Sequence, residues 1–398
     1  MFEQCGRCAD PVFANFRYDE ICAAVSQFKE KGLTAHELLK FQKCVAAVYP
    51  WNSEYDDLRF GVNRRFNVFP LVIIMAYTKE DVLRAYAFAQ RYDIGVCARS
   101  GAHSVEGWSL CSGMIIDQSH RIAVRLDKKR KVAIAEPGVL LGPLASALTP
   151  HHLCFSSGSC ANNGLAGFTL GGGLGLFDRQ LGMNCDSLLS VEILLANGDL
   201  VRANAKEHSD LYWACRGGGG GNFGIVTEFE LQVYEYTGFS TIEIVYSLED
   251  FKEVLKAWQE WAPFTDERLS TEFRATSSGF KISGVFFESG DQEADQHYLE
   301  NLLQPVLIGN KPVISIKTKQ TFVEAVRTFA GKGRWPLFTK AKNSFITQSF
   351  PDEALDIMID FIQRSDGLDV LELNACGGKI NALADDETAF PHRQGVTM

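Results

Sequence analysis

Ala98-Arg99-Ser100-Gly101-Ala102-His103-Ser104 is the stretch that decides how this chain folds. It follows the apolar run Ile94-Gly95-Val96-Cys97, so it reads as a loop leaving the end of a strand. Glycine and serine there permit positive φ and leave backbone N–H groups able to point at phosphate oxygens. Arg99 adds a positive charge beside the N–H groups of Ser100 to Ser104. A second small-residue loop runs from Ser156 through Cys160 to Gly167, then Gly171-Gly172-Gly173-Leu174-Gly175. One imidazole, His103, and one thiol, Cys160, project from these loops. Each loop read alone is also an ordinary turn.

Before that loop, Val68–Ala76 is strand-like, and Asp81–Tyr92 reads as a helix capped by Thr78 with Asp81 three residues on. That β-α-β order feeds the His103 loop. Upstream, residues 17–41 carry helical apolar spacing. Downstream, 114–117, 123–125 and 132–136 read as short strands and Leu140–Leu148 as a helix. Residues 190–202 read as a hairpin turning at Asn197-Gly198. Beyond Tyr236 the character changes. Strands at 241–245, 270–275, 279–287 and 313–318 alternate with amphipathic helices at 248–261 and 292–303, the order of an antiparallel sheet covered on one side. The division expected is 1–237 (core about 65–237), 238–378, and a return segment 379–398.

Composition narrows the classes. A chain of 398 residues, 46% hydrophobic, can bury one large core or two moderate ones. A net charge of −10 disfavours nucleic acid and anionic membranes as partners. No apolar run reaches spanning length, and the start lacks the pattern of a secretory leader, so a cytoplasmic location is the default expectation, with secretion the alternative if a leader was removed. Eleven cysteines form no disulfide framework. Cys5 and Cys8 have metal or redox spacing without a second pair, and no metal site is expected. Cys22, Cys44, Cys97 and Cys215 read as small core residues, whereas Cys160 sits among glycine, serine and asparagine.

Several ordered motifs together carry a family resemblance. They are Pro70 with Thr78–Val82, the 99–104 loop, and Asp210-Leu-Tyr-Trp-Ala-Cys-Arg216 followed by five glycines and Asn222-Phe-Gly-Ile-Val-Thr227. Gly377-Gly-Lys-Ile-Asn381 and Ala389-Phe-Pro-His-Arg393 complete the set. The chain resembles the berberine-bridge-enzyme-like branch of the vanillyl-alcohol-oxidase flavoproteins. That resemblance implies an α+β fold: a two-subdomain PCMH-type FAD-binding domain with an inserted antiparallel-sheet substrate domain. It implies FAD bound through both His103 and Cys160, with contacts from Arg99, Ser100, Gly101, Ala102, Ser104, Ser109, Gly158, Gly164, Gly167, Gly172, Gly224, Ile225 and Val226. Ala102 departs from a second glycine usual in the loop. Relatives of this kind continue past the point matching Met398 with a segment that closes the flavin site.

The implied reaction is oxidation of a hydroxyl or related C–H donor, a sugar-type alcohol first, with O2 as acceptor. A dehydrogenase using another acceptor is the alternative, favoured by Leu165, and a silent flavin-binding protein is the third reading. Proton removal from the hydroxyl needs a base. The family's position for it, three residues before Gly377-Gly378, holds Asn374, which can orient a substrate but not accept a proton. Strand alternation places Glu372 on the same face as Asn374, as the second candidate.

Overall fold

The computed structural model describes residues 11–329, 336–367, 369–395 and 397, with side chains from residue 18. Cys5 and Cys8 lie outside the described residues. Thr78 closes a capping box with Asp81: its hydroxyl accepts from Asp81 N at 3.2 Å, and the Asp81 carboxylate accepts from Thr78 N at 2.9 Å. The helix so started, Lys79–Arg91, buries Val82, Ala85 and Ala89 on one stripe. It connects two strands of a first sheet. That sheet comprises β1 (Ala46–Val48), β2 (Val72–Met75), β3 (Val96–Arg99) and β4 (Met114–Asp117), in the order β1-β2-β4-β3. β2 and β3 both run parallel to the central β4, which delivers the 99–104 loop at the ends of buried strands. Helices Pro11–Glu30 and Ala35–Gln42 add Phe28, Leu38 and Phe41 to the same core.

A second sheet is antiparallel throughout. It holds β5 (Val124–Asp127), β6 (Val132–Ala135), β8 (Leu188–Leu194), β9 (Leu200–Asn204) and β10 (Ile225–Gln232), ordered β5-β6-β10-β8-β9. The expected hairpin is β8–β9, and Gly198 takes φ +92° at its turn. β7 (Leu153–Cys154) pairs with β11 (Tyr234–Glu235) beside it. Helix Leu141–Leu148 and the short helix Leu165–Leu170 pack into this core.

The third sheet consists of β12 (Gly238–Tyr246), β13 (Leu269–Thr276), β14 (Gly279–Glu288), β15 (Val313–Gln320) and β16 (Leu371–Asn374). Its order is β15-β12-β14-β13-β16, antiparallel at every step. Ile242, Ile244, Phe273, Phe280, Ile282 and Phe286 line one face. Phe251, Leu255 and Trp258 of helix Phe251–Trp261, with Leu299 and Leu303 of helix Gln292–Leu303, cover that face. A third covering helix, Asp352–Arg364, was not anticipated. Its buried Leu355 and Ile362 are matched by Ile357 and Phe361 exposed on the far side, which blurs the helical period. The opposite face begins with Phe239 and Val285 embedded in the core of the second sheet. The chain is therefore α+β, as expected.

The segment after β16 returns to the first part of the chain. Arg393, fully buried, donates to both carboxylate oxygens of Asp186 at 2.9 and 2.6 Å and to Thr388 Oγ1 at 2.7 Å. Thr397 bridges Ala375 and Ile346 beside β16.

Candidate active site: two glycine loops and a sheet face

Gly101 and Gly164 bring the two loops into backbone contact. A Cβ on Gly101 would fall 2.6 Å from Gly164 N, and one on Gly164 would fall 2.5 Å from Gly101 N. No side chain fits at either position, which is the physical reason for both glycines. From this crossing the loops present His103 and Cys160 to each other, with Cys160 Sγ 3.4 Å from His103 Nε2. Burial lowers the imidazole's pKa below its ordinary value, so the ring is held neutral and keeps a nucleophilic nitrogen.

Around this pair the chain leaves backbone open and polar atoms unused. Ala102 adopts φ +52°, and its carbonyl accepts from Val62 N at 2.9 Å. Ser100 spends its hydroxyl on Pro137 O at 2.6 Å, and Ser104 Oγ accepts from Trp108 N at 3.1 Å. Arg99, expected as a charge for phosphate, is instead closed in a buried ion pair with Asp117 at 2.6 Å. The parallel register sets Arg99 beside Asp117. Its Nη1 still lacks a partner among the described residues, as do the buried Ser109 Oγ and Asn163 Oδ1. Such atoms are costly unless a ligand meets them. A Cβ on Gly167 would meet nothing within 4 Å, and one on Gly220 would approach Gly167 Cα at 3.9 Å, so these two glycines flank open space. An elongated anionic dinucleotide such as FAD fits this donor set and these backbone walls.

Other glycines have structural reasons. Gly172, expected at the cofactor, takes φ +114° and has Phe390 Cδ2 and Met183 Cε each 2.9 Å from its Cβ position, so its small size accommodates the returning segment. Gly158 makes room for the Phe168 ring at 2.8 Å, and Gly224 for the Leu194 carbonyl at 2.4 Å. Ile225 and Val226 are buried at the start of β10, and the Val226 carbonyl accepts from Gln118 Nε2 at 3.0 Å. Cys22 and Cys44 are exposed, contrary to the core role expected: Cys22 lies on the outward side of its helix and Cys44 in the turn after Gln42; Cys215 is buried.

The two catalytic candidates part company. Asn374 is half-buried on β16 opposite Glu272 of β13. Glu372 is 42% exposed and paired with Arg274 at 3.3 Å. Sequence reasoning missed Asp117, Gln118 and Glu272, whose partners come from strands remote in the chain. It also missed Arg179, which follows the Cys160 loop. Buried beneath the third sheet, Arg179 donates to the carbonyls of Leu269 (2.7 Å), Thr265 (2.7 Å) and Pro263 (3.0 Å).

Comparison with known proteins agrees with this geometry. Residues 70–204 match the model of a FAD binding domain family. An FAD-linked oxidoreductase of Bacillus subtilis, YgaK, is 33% identical over 352 residues, covering 86% of this chain and 77% of that one. The glucooligosaccharide oxidase of Sarocladium strictum is 27% identical over 365 residues, covering 84% and 71%. The solved structure of Physcomitrella patens BBE-like 1 superposes with a TM-score of 0.82 at 24% identity, covering 90% of this chain and 82% of that one. The chain belongs to the berberine-bridge-enzyme-like FAD-linked oxidoreductases.

Proposed function

We propose that this FAD-dependent oxidoreductase oxidises a hydroxyl-bearing carbon of a sugar-type alcohol, that FAD is tethered by both His103 and Cys160, and that O2 is the acceptor. The observation that carries the reading is the 3.4 Å approach of His103 Nε2 and Cys160 Sγ at the crossing of two glycine loops. One nucleophilic nitrogen and one sulfur at a single point suit two attachments to one ring system. Bound there, FAD supplies the hydride acceptor. The chain's own residues hold it: the glycine backbones admit it closely, and Arg99 Nη1, Ser109 and Asn163 offer unused polar atoms. The third sheet carries Asn374, whose amide can orient a substrate hydroxyl. The sugar-type substrate is supported by the oligosaccharide oxidase among the relatives.

The test is anaerobic mixing of the holoenzyme with gluco-, chito- and xylo-oligosaccharides and with aryl alcohols. Bleaching of the flavin by a sugar is expected. Bleaching by aryl alcohols alone would move the substrate class, and no bleaching by any donor would leave a silent flavin protein. Leu165 favours a second reading for the acceptor. It follows Gly164 directly and is fully buried in the core beside the loop crossing, a bulkier residue than valine at that point. Slow reoxidation in air with fast reoxidation by an artificial acceptor would select a dehydrogenase.

A further inference from the structure

The face of the third sheet turned away from its helices changes character along its length. At one end Phe239 and Val285 sit in the core under the Cys160 loop. At the other, Lys281 pairs with Glu243 at 2.7 Å and Arg274 with Glu372 at 3.3 Å, all partly exposed. Between these ends lies a buried polar band of Thr241, Ser270, Ser283 and Glu272. The register sets Glu272 between Ser283 of β14 and Asn374 of β16. The hydroxyls of Thr241, Ser270 and Ser283 are buried without hydrogen-bond partners among the described residues. Among those residues the Glu272 carboxylate likewise has no ion pair or hydrogen bond. A folded protein rarely strands three hydroxyls and a carboxylate on one face, and the economical explanation is a polyhydroxyl ligand that meets them.

We propose that Glu272 is the proton acceptor of the oxidation, with Thr241, Ser270 and Ser283 binding neighbouring substrate hydroxyls. The assignment rests on the alcohol-oxidising function proposed above. As the C–H electron pair of the substrate carbon passes with its hydrogen to FAD, the O–H proton moves to a Glu272 carboxylate oxygen. The O–H electron pair becomes the second C–O bond of the carbonyl product, FAD is reduced by two electrons, and Glu272 leaves the step as the neutral acid.

The surroundings suit that role. Burial, and then the negative charge of Glu372, push the Glu272 carboxyl up to about 7, with Glu243 adding in the same direction and Arg274 and Lys281 opposing. A base that titrates there is matched to neutral pH. Asn374, across the strand pair, keeps its amide for the substrate oxygen, so the base stands one strand inward from the position where Asn374 replaces it.

Anaerobic stopped-flow reduction of the holoenzyme by a sugar that bleaches it decides the matter. Glu272→Gln is expected to slow flavin reduction about 10²–10⁴-fold and to abolish a pH dependence with its midpoint near 7. Glu372→Gln, which removes a like charge, is expected to move that midpoint down. A second readout needs no turnover: infrared titration of the holoenzyme should show a protonated-carboxyl band disappearing near pH 7, absent from Glu272→Gln. A Glu272→Gln enzyme that matches the parent in rate and pH profile overturns the role of Glu272 alone. A carboxyl band titrating in the ordinary acidic range does the same. A parent that no alcohol reduces overturns the proposed function, and this role with it.

Discussion

The loop crossing at His103 and Cys160 and the sheet face around Glu272 are built by opposite means. The crossing is made of consecutive small residues whose backbones touch, Gly101 against Gly164. The sheet face is made of single residues from β12, β13, β14 and β16, brought together only by register. A wall that must admit a cofactor by its backbone needs glycine at many neighbouring positions. A wall that must offer side chains to a substrate needs only one suitable residue per strand.

The sharpest way to break the contrast is at the crossing itself. Acid precipitation is expected to leave the yellow colour with the protein, and His103→Ala or Cys160→Ala singly to leave it still attached through the remaining bond. The double variant should release all of its FAD; release from the parent would show that the paired side chains tether nothing.

On the sheet face the expected effect is on stability and depends on pH. The Glu272 carboxyl is raised from 4.5 to about 7 in the folded chain, so the native state holds a proton that the unfolded state loses between these values. Stability from this group is full below about pH 4.5 and lost as pH rises through 7. Glu272→Gln should therefore match the parent in acid and exceed it at pH 8 by on the order of 3 kcal/mol. Equal denaturation midpoints at pH 8 would mean that the carboxyl is not buried as described.

Two smaller effects return to the loops. Gly164→Ala places a methyl 2.5 Å from Gly101 N and from Ser100 Oγ, and should cost about 1–3 kcal/mol, seen as a lowered melting temperature and weaker FAD retention. Ala102→Gly should act in the other direction. The left-handed φ of +52° costs an L residue about 1–2 kcal/mol, and the added chain entropy of glycine takes back roughly 0.5–1, leaving a gain of at most about 1.5 kcal/mol. Destabilisation by that change would place Ala102 in a packing role instead.

What could be read without coordinates follows the same division. The capped helix after Thr78, the hairpin at Asn197-Gly198 and the two small-residue loops are local, and local chemistry marks them. The ion pair of Arg99 was hidden because Asp117 lies on a neighbouring parallel strand, 18 residues on. Glu372 was attractive by alternation along its own strand, yet alternation says nothing of which end of a face meets solvent, and Arg274 holds it there. Glu272 carried no signal, since its significance lies in a cross-strand neighbour about a hundred residues away. Gly172 misled because a glycine that receives Phe390 looks, in sequence, like one that receives a phosphate.

Arg179 has a mechanical consequence. Its guanidinium, buried deeply enough that its pKa falls to about 10, bolts the segment after the Cys160 loop to the carbonyls leading into β13. Swinging the third sheet off the loops like a jaw would have to break all three of these charge-assisted hydrogen bonds together. One side chain thus couples the two walls mechanically, so that a displacement of the segment after the Cys160 loop is passed on to the start of β13.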